Sequence, residues 1–532
     1  MARRAMVVSR EANATDAGVA ILRQGGNAVD AAVAVGFALA VTHPSAGNLG
    51  GGGFMLIRFA DGRSTFIDFR ERAPRSASAD MYLDASGKPT RDSVHGWRAS
   101  GVPGTVRGLE YAARRYGRLH WRDQVAPAAQ LAAQGFQVSY GLARSLKAAR
   151  NRLEDFPESR RIFLKAGAFF EPGDTLVQPE LAATLERIAE RGAVDFYEGE
   201  TAGRLAAEMK AHGGTITLED LKEYQVVERR PLEGSYRGYR ILTAPPPSSG
   251  GVGILQMLGM LEESGYEKHG LGSAATIHYL TEVMRRYYAD RAEHLGDPDF
   301  EKIPVEGLLS PRYIAELRRS IDPEKATPSG TIRPGRFTLA ESEDTTHYSI
   351  LDADGNAAAV TYTINGSYGS GVTVPGLGFL LNNEMDDFTV KPGTPNMFGL
   401  IQGKVNAIQP GKRQLSSMTP TIVLRDDRPY LVLGSPGGST IITTVLHVLI
   451  NVLDFGLNLR DAVDQPRFHH QWQPDRIDME PGFSPDTIGL LRGRGHTVER
   501  RAAIGEVAAI LAGEGWLHGV ADARSEGKAG GY

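Results

Sequence analysis

The stretch of sequence that decides the fold lies two thirds of the way along the chain and reads Asp344-Thr345-Thr346-His347-Tyr348. An acidic, loop-like run over residues 341–344 precedes Thr345, and strand-forming residues follow from Tyr348. Turn residues at 354–356 and a second apolar stretch over 357–363 complete a predicted β-hairpin. Thr345 therefore stands where a loop meets the first strand of a hairpin.

A threonine at this point has two interpretations. The first is structural, because strands commonly contain β-branched residues. The second is chemical: a Thr hydroxyl is a weak nucleophile that needs a nearby base. At a free chain start the α-amino group supplies that base, because its pKa lies at roughly 7.7–8.0, close to working pH. This use of Thr345 requires that the peptide bond after Asp344 is cut first.

Three later stretches add to the pattern: Asn382–Phe388 (NNEMDDF), Leu415–Met418 (LSSM) and Gly434–Ser439 (GSPGGS). Together with residues 345–349 (TTHYS), and in the same order, they resemble the gamma-glutamyltranspeptidase family of N-terminal-nucleophile hydrolases. The resemblance runs from about residue 6 to Tyr532 and so covers nearly the whole chain.

The resemblance implies an α+β fold, a four-layer αββα sandwich with two stacked antiparallel sheets between layers of helices. It also implies a zymogen that cuts itself autocatalytically between Asp344 and Thr345. Residues 1–344 then form a large subunit and residues 345–532 a small subunit, interleaved as one heterodimeric globule. The predicted hairpins around Thr345 and Gly434 fit this architecture.

The reaction implied by the resemblance has two stages. First, the hydroxyl of Thr345 attacks the carbonyl of Asp344, and hydrolysis of the ester frees the threonine amine. Second, Thr345 attacks the γ-carbonyl of glutathione or another γ-glutamyl compound. Water, or an amino acid or dipeptide acceptor, then resolves the γ-glutamyl ester. Such an acyltransferase and hydrolase needs no cofactor and no metal ion.

Candidate substrate-binding residues come from three separate stretches. Arg70 follows a predicted strand, where an arginine forms either a surface ion pair or a bidentate contact with a carboxylate. The resemblance assigns it to the α-carboxylate of a glutamyl donor. Glu384 and Asp387 have four possible interpretations. They form an acid/base pair, a metal site or a clamp for a substrate ammonium, or they are ordinary surface acids. With Arg70 and the hydroxyls of Ser416 and Ser417 opposite, they match a zwitterionic donor, which favours the clamp.

Two more pairs of residues are predicted to lie near the nucleophile. Thr363 and Asn365 alternate to one face of the second hairpin strand. Thr363 is either an ordinary strand residue or, as the resemblance implies, a partner of the nucleophile, with Asn365 contacting the donor's amino group. Gly437 and Gly438 precede a predicted helix, whose N–H groups and dipole suit an oxyanion hole. The resemblance gives these glycines that role.

Periodicity and turn residues predict the other elements. Helices are predicted over 14–25, 27–41, 104–116, 179–192, 199–212, 218–224, 253–262, 274–295 and 440–453, and strands over 54–59, 64–69, 236–243, 419–424 and 429–433. The glycine-rich run 47–53 lacks the Lys-Ser/Thr of a phosphate loop, which favours tight packing. His469 and His470 lack a matching ligand set, which favours a structural or surface role. Residues 391–403 resemble the lid loop of the family, with Phe398 where a tyrosine is common.

Composition excludes several classes of function. The chain has 532 residues, 41% hydrophobic and 23% charged, with a formal net charge of −4, so no nucleic-acid partner is indicated. It has no cysteine, which excludes disulfides, thiolate metal sites and a Cys nucleophile. No uninterrupted apolar stretch is long enough to predict a membrane span. No secretory signal is visible, so the protein is cytoplasmic or, if its start is trimmed, periplasmic or secreted.

Two rival functions stay open at this point. One is an acylase of the same fold that removes glutaryl-type side chains, as cephalosporin acylases do. A donor without an α-amino group has no ammonium for Glu384 and Asp387 to bind. The presence of these two acids therefore favours a γ-glutamyl donor. The other is an unprocessed protein that binds γ-glutamyl compounds without turning them over.

Overall fold

The computed structural model describes residues 1–335, 346–391, 396–397 and 404–532. Asp344 and Thr345, which form the predicted cleavage site, lie outside the described residues, and so does Phe398 of the predicted lid loop.

The described residues form strands and helices throughout. The strands are β1 Met6–Ser9, β2 Gly52–Arg58, β3 Ser64–Asp68, β4 Phe136–Gln137, β5 Thr175–Leu176, β6 Val227–Arg229, β7 Leu232–Tyr236, β8 Tyr239–Thr243, β9 Thr346–Leu351, β10 Ala357–Thr363, β11 Thr421–Arg425, β12 Arg428–Gly434, β13 Phe468–His469, β14 Ile477–Met479, β15 Val498–Arg500, β16 Ala508–Gly513, β17 Trp516–Ala521 and β18 Lys528–Gly531. The α-helices are α1 Ala12–Arg23, α2 Ala28–Thr42, α3 Thr105–Tyr116, α4 Trp121–Gln134, α5 Tyr140–Ala148, α6 Arg150–Leu153, α7 Pro157–Phe163, α8 Pro179–Arg191, α9 Val194–Glu198, α10 Glu200–Ala211, α11 Leu218–Lys222, α12 Gly250–Leu261, α13 Ala274–His294, α14 Val305–Leu308, α15 Pro311–Arg319, α16 Thr440–Leu453, α17 Leu459–Asp464 and α18 Pro485–Gly493.

Two large antiparallel sheets form the centre of the molecule. The first has seven strands in the order β18-β1-β9-β10-β2-β3-β6, and the second has six in the order β17-β16-β12-β11-β8-β7. In the first sheet, β1 from before residue 345 lies between β18 and β9 from after it, and the pair β9-β10 lies between β1 and β2. The chain segments on either side of the predicted cleavage site are therefore interleaved in this sheet.

Alternation along β2 shows how the layers stack. Met55 and Ile57 belong to the core between the first sheet and its helices. Phe54 and Leu56 point to the opposite face and pack against residues of the second sheet such as Ile422. Because successive side chains of a strand face opposite sides, a strand buried on both faces needs a covering layer on each side. The order helices, sheet, sheet, helices confirms the predicted αββα sandwich.

A layer of helices covers the outer face of each sheet. In α2 every residue is buried, and Asn27 caps the helix by accepting hydrogen bonds from the N–H groups of Val29 and Asp30. A helix that is apolar all round belongs in a core, and α2 packs with α1, α3 and α4 over the first sheet. Helices α12, α13 and α16 cover the second sheet.

Most predicted elements form within a few residues of their expected bounds, and α16 begins and ends as predicted. The predicted strand 236–243 is wrong in part. Arg237 and Gly238 have φ of +47° and +84°, and they form a two-residue turn between β7 and β8. Sequence periodicity also missed α4–α7 and the outer strands β1 and β18, which pair with each other beside β9. Short strands leave little periodic signal.

Within the described part of the chain, no helix combines the length and apolar character needed to cross a membrane.

Candidate active site

The hairpin of β9 and β10 starts one residue after the predicted nucleophile. Thr346, the first residue of β9, pairs with Tyr362, and His347 pairs with Thr361. Every residue of both strands is buried. The strand that follows Thr345 in the sequence is therefore anchored along its whole length.

His347 lies between the two sheets as a neutral imidazole. Ser349 uses its hydroxyl proton to donate to the carbonyl of Ala508 (3.0 Å), so its oxygen accepts from Nε2 of His347 at 3.0 Å. Nδ1 of the ring then accepts from the hydroxyl of Thr361 at 2.8 Å. Burial lowers the pKa of His347 to about 3. The ring is thus a fixed structural element and is unsuited to act as a catalytic base near pH 7.

The glycine-rich loop after β12 lies next to the start of β9. A Cβ atom on Gly434 would overlap the ring of His347, so β12 ends against β9. Gly437 and Gly438 follow with φ of +126° and +65°, in the left-handed region that glycine adopts without strain. They precede α16, whose first N–H groups have no partner within the helix. The predicted oxyanion loop therefore lies near the strand that starts at Thr346.

Arg70 is the centre of a buried ion-pair cluster. Its guanidinium, 1% exposed, donates from Nη1 to Oε1 of Glu384 and from Nη2 to Oδ2 of Asp387. It also donates to the carbonyls of Gln414 (3.3 Å) and Leu415 (3.2 Å), directly before the two serines. The structure therefore brings together the three stretches that the sequence offered as substrate-binding. The side chains of Arg70, Glu384 and Asp387 are all buried. This excludes the interpretations of Arg70 as a surface ion-pair residue and of the two acids as surface residues.

Glu71 is a fourth ionisable residue of this cluster that sequence reasoning missed. Its Oε2 lies 3.5 Å from Nη1 of Arg70, and the side chain is fully buried. Burial, and then the charge of Glu384, raise the pKa of Glu71 well above its usual range. Burial also raises the pKa of Glu384. Three carboxyl groups around one guanidinium favour a proton on one of them. The adjacency of Glu71 to Arg70 was the signal available in the sequence.

Asn365 presents a buried acceptor beside the cluster. Its Nδ2 donates to the carbonyl of Asn383 at 2.9 Å, next to Glu384, and its N–H donates to Oγ1 of Thr363 at 2.7 Å. Asn365 lies beyond the end of β10 with φ of +67°, so strand alternation does not set its direction. Its Oδ1 has no hydrogen-bond partner among the described residues. A buried, unpaired amide oxygen favours a donor such as an ammonium group.

The two serines present donors to the same region. Oγ of Ser416 accepts from the N–H of Met418 at 3.1 Å, and Oγ of Ser417 accepts from Nη2 of Arg291 at 2.9 Å. A hydroxyl that accepts still has its own proton to donate. The hydroxyl of Ser416 therefore suits a ligand that accepts hydrogen bonds, such as a carboxylate.

Metal-binding groups lie elsewhere in the described structure. His278, Glu282 and His496 lie close enough to share an ion. However, Nδ1 of His278 and Nε2 of His496 are hydrogen-bonded at 2.7 Å, and Arg286 donates to Glu282 at 2.6 Å. His469 is buried and bonded to Thr443, which agrees with a structural role rather than a surface one. These groups are thus held by protein partners.

Sequence and structure comparisons identify relatives of this chain. Residues 14–532 match the gamma-glutamyltranspeptidase family. The glutathione hydrolase proenzyme of Escherichia coli (strain K12) is 51% identical over 527 residues, which span 98% of this chain and 91% of that protein.

Two solved structures are similar in fold. The cephalosporin acylase of Bacillus halodurans has a TM-score of 0.90 at 28% identity, covering 100% of this chain and 96% of its own. The gamma-glutamyltranspeptidase of Helicobacter pylori has a TM-score of 0.61 at 43% identity, covering 62% of this chain and 94% of that chain. On the family match over residues 14–532 and the identity of its relatives, this chain belongs to the gamma-glutamyltranspeptidase family.

Proposed function

We propose that this protein cleaves the γ-glutamyl amide bond of glutathione and related compounds and transfers the γ-glutamyl group. It is an acyltransferase and hydrolase whose intermediate is a γ-glutamyl ester of Thr345. The acceptor is water, an amino acid or a dipeptide. The observation that carries the proposal is the buried cluster in which Arg70 meets Glu384 and Asp387.

This cluster is complementary to an α-amino acid end group. A glutamyl donor carries an ammonium and a carboxylate on one carbon, so it needs acceptors and donors side by side. Glu384, Asp387 and Oδ1 of Asn365 supply acceptors, and Arg70 supplies a guanidinium. Arg70 forms ion pairs with both Glu384 and Asp387. A zwitterionic donor exchanges these ion pairs for its own without adding net charge to a buried site.

The reacting end of the donor is assigned to the other half of the site. Thr345 is the nucleophile, and its α-amine acts as the base. Thr363, whose Oγ1 accepts from the N–H of Asn365, orients that nucleophile. The N–H groups of Gly437 and Gly438 stabilise the oxyanion, an interaction that strengthens as charge develops. The contact between Gly434 and His347 supports this assignment, because it ties the glycine loop to β9.

The free amine requires processing of the precursor. Thr345 attacks the carbonyl of Asp344, and the peptide bond is exchanged for an ester that water hydrolyses. The products are the segments 1–344 and 345–532. They stay together because β9 and β10 from the second segment lie between β1 and β2 from the first. The active protein is thus a heterodimer of two subunits from one precursor.

A glutaryl acylase is the second candidate, and the similarity to the cephalosporin acylase of Bacillus halodurans favours it. A glutaryl group has the carboxylate but no ammonium. It would leave Oδ1 of Asn365 buried without a donor, and it would bring a further negative charge to Glu384 and Asp387. The cost of leaving buried polar groups unpaired argues against this substrate.

The test compares kcat/KM on γ-glutamyl and glutaryl anilides. The wild type is expected to prefer the γ-glutamyl donor by about 100-fold or more, because the site is built to bind its ammonium. Asp387→Asn is expected to reduce that preference. Asp386→Asn is the matched control, since Asp386 bonds Ser93 at 2.9 Å and not Arg70. Equal rates on the two donors would establish the acylase, and a stable uncut chain without activity would establish a binding protein.

A further inference from the structure

The chain that follows α15 runs alongside helix α13 on its way to the predicted cleavage site. This linker segment, residues 320–335, meets one turn of the helix after another. In chain order, the contacts join His278 to the carbonyl of Asp322 (2.8 Å), Glu282 to the N–H of Thr327 (3.1 Å), Arg285 to the hydroxyl of Ser329 (3.0 Å) and Asp290 to the N–H of Gly335 (2.9 Å). Because the order is the same in both partners, the linker segment runs in the direction of α13, towards the C-terminal end of the helix.

Asp290 makes the contact that lies nearest to the cleavage site in sequence. Its side chain is buried, and Oδ1 accepts from the N–H of Gly335 at 2.9 Å and from the hydroxyl of Tyr313 at 2.7 Å. Oδ2 accepts from Nε2 of Gln256 at 2.9 Å. Hydrogen bonds to a carboxylate are stronger than those between neutral groups. Asp290 therefore holds Gly335, the last residue described before Thr346, firmly against the helix.

The turn of α13 that carries Asp290 also contacts the proposed oxyanion loop. Tyr288, two residues earlier, donates its hydroxyl to the carbonyl of Ser439, which directly follows the two glycines. One turn of an α-helix takes 3.6 residues, so Tyr288 and Asp290 belong to the same turn. Gly335 is thus fixed to the helical turn that also contacts the glycine loop.

The contact with Asp290 shortens the chain that leads to β9. Gly335 and Thr346 are 11 residues apart, a length that spans at most about 36–40 Å. Without this contact, the nearest anchored residue in the linker segment is Ser329, whose N–H donates to Asp475 at 2.7 Å. Ser329 is 17 residues from Thr346, and this longer chain brings its two ends together about half as often. The contact also sets the direction in which the chain leaves α13.

We propose that Asp290 is a positioning residue for the autocatalytic cleavage of the precursor, acting through the N–H of Gly335. It holds the end of the linker segment beside the glycine loop, so that the following chain reaches the reaction centre from a fixed point. Asp290 has no part in the turnover of γ-glutamyl donors by the cut protein. This inference rests on the proposed function, because it assumes cleavage between Asp344 and Thr345.

The test follows cleavage in the full-length precursor, made by cell-free synthesis and sampled over time by intact mass. Asp290→Ala removes the acceptor, and Gly335→Pro removes the N–H donor while leaving the buried carboxylate with its other partners. Gly335→Ala is the matched control, because it keeps the N–H. Asp290→Asn keeps an acceptor, and the double variant Asp290→Ala with Gly335→Pro tests whether the two residues act together. After cleavage is complete, kcat/KM on γ-glutamyl anilide is measured for each variant.

Asp290→Ala and Gly335→Pro are each expected to slow cleavage by about two- to tenfold. The lower value is the effect of the longer chain alone, and the upper one includes loss of the fixed direction. Asp290→Asn should be slowed less, and Gly335→Ala should match the wild type. The double variant should be no slower than Asp290→Ala, because both changes remove one contact. Once cut, all variants should keep kcat/KM within about twofold of the wild type.

The contrast between cleavage and turnover separates positioning from a general loss of structure, which would lower both. Wild-type cleavage rates in both Asp290→Ala and Gly335→Pro would overturn the inference. It is also overturned if kcat/KM of the cut variants falls as far as the cleavage rate, or if the two effects multiply in the double variant. A wild-type chain that stays uncut refutes autocatalytic cleavage, and the inference with it, and is seen without any variant.

Discussion

The ring of His347 occupies the space that a side chain at Gly434 would need. His347 lies two residues after the proposed nucleophile, and Gly434 precedes the glycine loop proposed to bind the oxyanion. This contact joins the two sheets beside the start of β9, next to the proposed reaction centre. Its geometry depends on a glycine in β12 and on a neutral imidazole in β9.

Gly434→Ala is expected to destabilise the protein by about 1–3 kcal/mol, because the new methyl group overpacks the layer between the sheets. The displaced glycine loop should also slow turnover. Thermal unfolding and kcat on γ-glutamyl anilide measure the two effects. Gly513→Ala is the matched control in the same sheet, since a Cβ there meets only Leu511 at 3.7 Å. Equal stability of the two variants would contradict the close contact.

His347 is expected to make the protein sensitive to acid. Its pKa is about 3 in the folded protein, because burial disfavours the charged ring, and near 6.5 when unfolded. The unfolded chain therefore binds a proton first, so the stabilising contribution of His347 is present above pH 6.5 and is lost as the pH falls towards 3. Urea unfolding at pH 7.5 and at pH 5 measures this loss in the free energy of unfolding.

His347→Gln is the comparison for this acid sensitivity, since glutamine keeps hydrogen-bonding capacity without a titrating ring. The loss of stability between pH 7.5 and pH 5 should be smaller in this variant than in the wild type. The difference isolates His347 from other buried histidines such as His447 and His469, whose pKa values burial also lowers to about 3. Identical losses would show that His347 is not the buried neutral group described here.

Glu71 is expected to be neutral at pH 7, because burial and the charge of Glu384 raise its pKa well above the usual range. Glu71→Gln, which resembles the protonated acid in shape and charge, should keep kcat/KM within about threefold of the wild type. Glu71→Ala leaves a cavity behind Arg70 and should lose both stability and activity. Melting temperature and kcat/KM on γ-glutamyl anilide distinguish them. A glutamine variant as impaired as the alanine variant would indicate that a charged Glu71 is needed.

Thr345→Ala is expected to stay a single chain of 532 residues without activity, since it has neither the hydroxyl nor a released amine. Thr345→Ser keeps a hydroxyl and should be cut into two chains. Thr346→Ala is the control, because Thr346 is buried in β9 and its Oγ1 has no hydrogen-bond partner among the described residues. Intact mass and N-terminal sequencing show whether each variant is cut and where its second chain begins. A cut Thr345→Ala chain would refute autocatalysis by this residue.

The sequence predicted the elements whose signal is local. The hairpin at 346–363 follows from its turn residues, and the bounds of α16 follow from an apolar run that starts after two glycines. The motifs that contain Arg70, Glu384 and Ser417 were also visible as candidates, because Arg70 follows a predicted strand and the acids and hydroxyls match a zwitterionic donor. Short outer strands such as β18 were missed, since four residues carry too little periodicity to be separated from a loop.

What the sequence by itself determined is the family, through motifs in a fixed order along the chain, and with it the layered α+β architecture that the resemblance implies. Only the tertiary structure decided which charges meet. Arg70 and Glu384 are 314 residues apart, and Arg291 and Ser417 are 126 residues apart, yet each pair is in contact in a buried site. Such contacts depend on how two sheets and their helices stack, and the protonation of Glu71 depends on the desolvation that this stacking imposes. No local pattern in the chain encodes these long-range contacts or the protonation state of Glu71.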